Sequence, residues 1–162
     1  MTIIQKIKDF LAEIEDISIG YNNLDFCNPD SLDSFQIGYS VDPNGNSLVT
    51  GQFGDWEEGW IVIGNDGLGD PIFIDCSSKD LTVFTSQHGE GNWEPTVIAD
   101  SLDNFRTITK DLKLLSIDRE SPVALENNPI QMSDKENFIN KISAVNKKSE
   151  IWFWELFMEQ ED

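Results

Sequence analysis

Two apolar runs, Trp60-Ile-Val-Ile-Gly64 and Pro71-Ile-Phe-Ile-Asp75, are separated by only the six residues Asn65-Asp-Gly-Leu-Gly-Asp70. A connection this short, built of Gly, Asn and Asp, makes a tight turn, so the two runs are strands that lie antiparallel. The same period of two recurs on both sides. Phe35, Ile37, Tyr39 and Val41 alternate with Gln36, Gly38 and Ser40, and Asp42-Pro-Asn-Gly-Asn46 offers a turn before Leu48 to Phe53, which reads as a hairpin. Leu81 to Ser86 and Thr96 to Ala99 extend the pattern. Six short strands joined by tight turns predict an antiparallel meander.

Helical spacing flanks this region. Ile3, Ile7, Phe10, Leu11, Ile14 and Ile17 recur on one stripe, predicting an amphipathic helix over 2–15. Gly20, Asn22, Asn23 and Asn28-Pro29 then carry loop chemistry, with a short helical turn around Ser31 to Ser34. After the strands, Ser101 caps a helix carrying Leu102, Phe105, Ile108 and Leu112. Residues 116–132, with Pro122 and Pro129, read as an extended crossover, and Ser133-x-x-Glu136 as a capping box opening the next helix. The aromatic tail from Glu150 to Asp162 reads as a last helix. The expected architecture is α+β: one domain over 1–162, with an antiparallel sheet of about six strands between an N-terminal helix and a C-terminal helical extension, 133–162.

Charge narrows the functional classes. Thirty acids against eleven bases give a formal net charge of −19. Residues 9–105 hold nineteen of those acids and one base, Lys79, whereas residues 106–148 hold eight bases and six acids. Such a field repels nucleic acid and anionic lipid and attracts a basic protein or a cation, unless it serves solubility alone. No apolar run approaches a membrane span. Charges at Lys8, Asp9, Glu13 and Glu15 interrupt any signal-peptide core, so an unprocessed, cytoplasmic protein is expected. Cys27 and Cys76 lie far apart and outside any C-x-x-C spacing, which fits buried reduced thiols.

Several constellations resemble chemistry without completing it. Asp42-x-Asn44-x-Asn46 opens like a calcium loop, but Ser47 replaces the turn glycine and Phe53 the bidentate glutamate, which favours a hairpin turn. Gly64, Gly67 and Gly69 precede a strand rather than a helix, so they supply turn conformations and not a phosphate cradle. His88 is the single histidine, expected as a turn residue bonded to backbone, with Ser86 within possible reach. Asp55, Glu57 and Glu58 near Trp60 would be the carboxylates of a small hydrolase using His88, yet neighbours on a strand point to opposite sides. No catalytic residue, metal site or cofactor is expected.

Tryptophan is the more informative residue type. Trp56, Trp93, Trp152 and Trp154 sit in or beside acidic, turn-rich sequence, where aromatic anchors ringed by acids suit a protein interface and where filling a sheet–helix seam is the alternative. The candidate partner-binding residues are therefore Asp55, Trp56, Glu57, Glu58, Trp93 and Glu94.

The block from Trp60 to Asp75, the segment His88-Gly-Glu-Gly-Asn-Trp93 and the segment Ala99-Asp-Ser-Leu-Asp-Asn-Phe105 together resemble the SUKH superfamily, over roughly residues 56–114. That superfamily includes the Smi/Knr cell-wall regulators of yeast and many bacterial relatives. The residues carrying the resemblance are Trp60, Gly64, Asp66, Gly67, Gly69, Asp70, His88, Gly89 and Asp100. The resemblance implies an α+β fold and no known enzymatic activity. It also implies a protein partner: a cognate toxin, often a nuclease, bound by an immunity protein, or a signalling partner of a regulatory scaffold. The chain departs from the family's usual entry, a Leu-Pro helix start followed by a short Asn-Gly turn before the sheet: residues 20–55 instead offer Asn28-Pro29 and an extra hairpin pattern.

Overall fold

The computed structural model describes residues 1–159. Helix α1 (Ile3–Glu13) starts where the Thr2 hydroxyl accepts the Gln5 N–H at 3.1 Å, and it buries Ile7, Phe10 and Leu11. The sheet comprises β1 (Ile17–Ile19), β2 (Asn22–Phe26), β3 (Trp60–Asp66), β4 (Pro71–Asp75), β5 (Val83–Thr85) and β6 (Thr96–Ala99). The strands lie side by side in chain order and every neighbouring pair is antiparallel. The fold is the expected α+β meander of six strands with helices at both ends.

Two of the six strands are not the expected ones. Residues 35–53 form no hairpin in the sheet: a tight helical turn over Pro29–Ser31 runs into α2 (Leu32–Phe35), followed by isolated bridges between Ile37 and Val41 and between Val41 and Ser47. The alternation there is broken at Gly38, whose φ of 94° no extended strand permits. Asp42 instead folds its own turn, its Oδ1 accepting the N–H groups of Asn46 (2.8 Å) and Asn44 (2.9 Å); the Asn46 bond above all holds its carboxyl below the usual range. The places are taken by β1 and β2, in sequence that reads as loop. β1 has three residues, too few to display a period, and Ile17 continues the helical stripe of α1.

The sheet separates two cores. On one face Ile63, Ile72, Ile74 and Val83 pack against α1 and α3 (Leu102–Ser116), which contributes Phe105, Ile108 and Leu112. As expected, the Ser101 hydroxyl caps α3, accepting the Asn104 N–H at 3.0 Å. The opposite face carries Trp60, Val62 and Phe73, covered by Trp56 with Tyr39, Val49, Phe84 and Trp93 around it. The irregular segment 36–59 supplies this cover.

Because β2 pairs with β3 only from Gly64 to Asp66, the backbone of Val62 lacks a strand on that side. The Gln36 amide replaces one, accepting the Val62 N–H at 2.9 Å and donating to its carbonyl at 2.8 Å. Close approach of β2 accounts for Gly64, where a Cβ would meet the Asp25 carbonyl oxygen and the Phe26 ring.

The chain after α3 departs from expectation twice. Residues 122–127 of the expected crossover form α4 (Pro122–Asn127), with Pro at the first turn, where it needs no N–H partner, and Ser121 as its cap. Helix α5 (Met132–Val145) starts at Gln131 without a side-chain cap bond, so Ser133 and Glu136 lie inside it and form no capping box. The tail forms α6 (Trp152–Met158), and the rest of the helix expected there, residues 160–162, lies outside the described residues.

Among the described residues, no helix is long and apolar enough to cross a membrane.

Candidate protein-interaction site

At one end of the sheet, the turn from Asp66 to Asp70 faces the long loop that joins β5 to β6. The turn is organised by Asp66, whose Oδ1 accepts the N–H groups of Leu68 (2.9 Å) and Asp70 (3.0 Å), while the Asp66 N–H donates to the Asp70 carbonyl at 3.0 Å. Burial is the main influence on this carboxyl and pushes it above the usual carboxylate range, against those hydrogen bonds. Gly69 takes a φ of 83°, as a turn of this kind requires. Gly67 has no positive φ and is needed for space instead, since a Cβ there would strike the Asn23 Oδ1.

Asp70 ties this turn to the loop. Its Oδ1 accepts the His88 backbone N–H at 3.0 Å and lies 2.6 Å from the His88 Nδ1. The expected backbone-bonded histidine is thus held by a carboxylate, and its ring is more than half exposed. Ser86 does not meet His88: its hydroxyl accepts the Glu94 N–H at 3.0 Å. Gly89, at a φ of 80°, lets the loop turn away from the pair. No group of three or more His, Cys, Asp or Glu is placed to hold a metal ion among the described residues.

The six expected partner-binding residues divide. Trp56 is only 2% exposed, wedged against Tyr39, Trp60, Phe73 and Trp93 with its Nε1 donating to the Trp60 carbonyl at 3.1 Å. It is a core residue and presents no face to a partner. Its sequence neighbours are placed differently: Asp55 is half-buried and Glu57 exposed.

Asp55, half-buried and bonded to the Thr50 hydroxyl, sits beside Trp93, whose N–H donates to the Gly54 carbonyl at 2.7 Å. Glu94 follows in the same loop. Glu57 and Glu58 are exposed at the opposite end of β3, where Gly59 accepts the Cys76 N–H at 2.8 Å. A hydrolase pairing of these acids with His88 has no counterpart here, because the carboxylate bonded to His88 is Asp70.

Trp154 is likewise internal, its Nε1 donating to the Ile98 carbonyl at 2.7 Å, whereas Trp152 is 46% exposed.

Asp100 has a different task. Its carboxylate accepts the Lys148 N–H and the Ser149 hydroxyl, and its own N–H donates to the buried Asn146 side chain, which docks the C-terminal extension on the sheet. This brings α6 alongside the acidic turn and loop. Asp66, Asp70, Glu90 and Glu94 then line a cleft of about 360 Å³ whose other wall carries Trp152 and Leu156. Glu90 and Leu156 were not singled out from sequence, although an acid inside the glycine-rich stretch 88–91 is the signal that marks the first.

The SMI1 / KNR4 family (SUKH-1) model matches residues 2–107. The chain belongs to this family. The match reaches well N-terminal of the expected 56–114, so α1, β1 and β2 are part of the family region, and it stops within α3. No curated protein and no solved structure matches the chain. Members of the SUKH family are generally non-enzymatic immunity or regulatory proteins that act through protein–protein contacts, and membership supports a protein-binding role for the chain.

Proposed function

We propose that this SUKH-family chain is a cytoplasmic immunity protein that binds and neutralises a cognate toxin, and that the toxin presents a basic surface, as a nuclease with a nucleic-acid groove does. The observation that carries this reading is the convergence of Asp66, Asp70, Glu90 and Glu94 on one cleft, in loops that contain no lysine or arginine. Paired surfaces of opposite charge raise the encounter rate and reject partners of the wrong sign. The same field disfavours nucleic acid and anionic membranes as direct ligands. Binding needs no catalytic residue, cofactor or metal.

Co-expression tests the reading. Production of the protein encoded by the neighbouring gene in a heterologous bacterium should arrest growth. Adding this chain should restore growth and yield a stable complex of the two on gel filtration. Restored growth without a complex, or a complex that leaves toxicity intact, would overturn it. A neighbouring product that is harmless and binds stably would favour the regulatory-scaffold role instead.

A further inference from the structure

We propose that the cleft between the Asp66–Asp70 turn, the 86–94 loop and α6 is a receptor for an arginine side chain projecting from the protein partner. This rests on the protein-binding reading above and names the group that is recognised.

The cleft has two chemically different walls. One holds four carboxylates. Two are already engaged, Asp66 with its own turn and Asp70 with His88. Glu90 makes no hydrogen bond or ion pair among the described residues, and Glu94 accepts only the Asn92 amide at 3.3 Å. The other wall holds Trp152, 46% exposed, and Leu156, 39% exposed, one helical turn apart on α6. No lysine or arginine lines the cleft among the described residues, so its negative charge is not neutralised from within.

An arginine satisfies both walls at once. Its planar guanidinium stacks on an indole face while its five N–H groups reach carboxylates at the rim, and its methylene stem covers an apolar side chain such as Leu156. Ser86 also lines the cleft and, 3% exposed, holds the loop that carries Glu94 by accepting its N–H.

The wall is also held in place. Glu150, two residues before Trp152, donates its N–H to the Val97 carbonyl at 2.8 Å, and the Trp154 Nε1 bond to Ile98 fixes the next turn. The acids come from the family-matched region, whereas Trp152 and Leu156 come from the extension beyond residue 107. The part of the cleft that selects a guanidinium over any other cation is therefore particular to the extension.

The test uses the full chain and a defined probe, an acetylated and amidated Ala-Arg-Ala peptide, followed by NMR at the Trp152 indole N–H and the backbone amides of 86–94. Saturable shifts confined to these signals are expected, and the same peptide with citrulline in place of arginine should leave them unmoved. Trp152→Ala should weaken the arginine peptide by about threefold, the scale of an exposed cation–π contact. Glu90→Gln, at a side chain with no bond to lose, should weaken it comparably without altering stability. Shifts that are spread over the acidic surface, equal for citrulline, or unchanged in Trp152→Ala would overturn the proposal. If the neighbouring gene's product forms a complex but the peptide leaves the cleft untouched, the cleft assignment fails and the immunity reading stands. If the peptide seats there but no complex forms, the immunity reading fails and the cleft stands.

Discussion

On one face of the sheet Ile63, Ile72, Ile74 and Val83 meet capped amphipathic helices, and on the other Trp60, Val62, Phe73 and Phe84 meet a segment, 36–59, with no regular element of its own. The helical face is held by aliphatic burial spread over many residues. The aromatic face is held by a few large rings, Trp56 at their centre with four ring neighbours, and by side-chain bonds such as that of Gln36 to Val62. Cooperative secondary structure distributes stability, whereas an irregular cover concentrates it in single residues. Trp93 belongs to the aromatic face and leads directly into Glu94, whereas α6, the other wall of the cleft, buries Phe153 and Trp154 in the helical-face core, so the candidate interface draws on both halves of the molecule.

The contrast breaks most visibly at the rings. Trp56→Ala should cost about 3–5 kcal/mol in chemical denaturation, as for other large buried aromatics. Its hydrogen-exchange protection should fall first within 36–59 while α3 stays protected. Phe105→Ala, fully buried on the helical face, should cost a similar amount but lower protection throughout. Equal loss of protection everywhere in both variants would mean that the two faces form one cooperative unit.

Gln36→Ala sharpens the same point at a single bond pair. It leaves the N–H and the carbonyl of Val62 without that partner inside a fully buried strand position, an expected loss of about 2 kcal/mol. Gln36→Glu keeps one acceptor and loses the donor, and should fall between the two. A Gln36→Ala variant as stable as the parent would show that water or a backbone shift replaces the amide.

The thiols report on one face alone, because Cys27 and Cys76 both pack against the helical core. Burial pushes both up to about 11, so near pH 8 little thiolate is present and alkylation should run roughly a hundredfold slower than in the unfolded chain. The rate should rise with pH as the folded thiols approach ionisation, since the reactive species is the thiolate. Trp56→Ala should leave the alkylation rate close to the parent's, and Phe105→Ala should raise it.

These two faces were unequally legible in the sequence. Helices α1 and α3 follow from spacing and caps, and β3, β4, β5 and β6 from apolar runs bounded by Gly, Asn and Asp. The aromatic cover has no period to read. Its alternation over 35–41 imitates a strand, while the true strands β1 and β2 are short and owe their place to pairing, β1 with β2 and β2 with β3. Of the cleft's lining, Asp66, Asp70 and Glu94 stand out in the sequence, whereas Trp93 packs against the aromatic cluster. Trp56 was not legible as core, because sequence neighbours on an irregular segment do not share a direction. The role of Trp152 as a cleft wall depends on Asp100 docking 146–149, a contact across more than forty residues that no local pattern encodes.

The central claim, that an uncompensated acidic surface recruits a basic protein, is tested most directly by association kinetics with the neighbouring gene's product across ionic strength. Between about 0.05 M and 0.5 M salt the Debye length falls from roughly 14 Å to about 4 Å. The association rate should then drop by about tenfold or more while dissociation changes much less. An association rate that stays flat over this range, for a partner that binds, would contradict the account and assign recognition to aromatic and apolar surface instead.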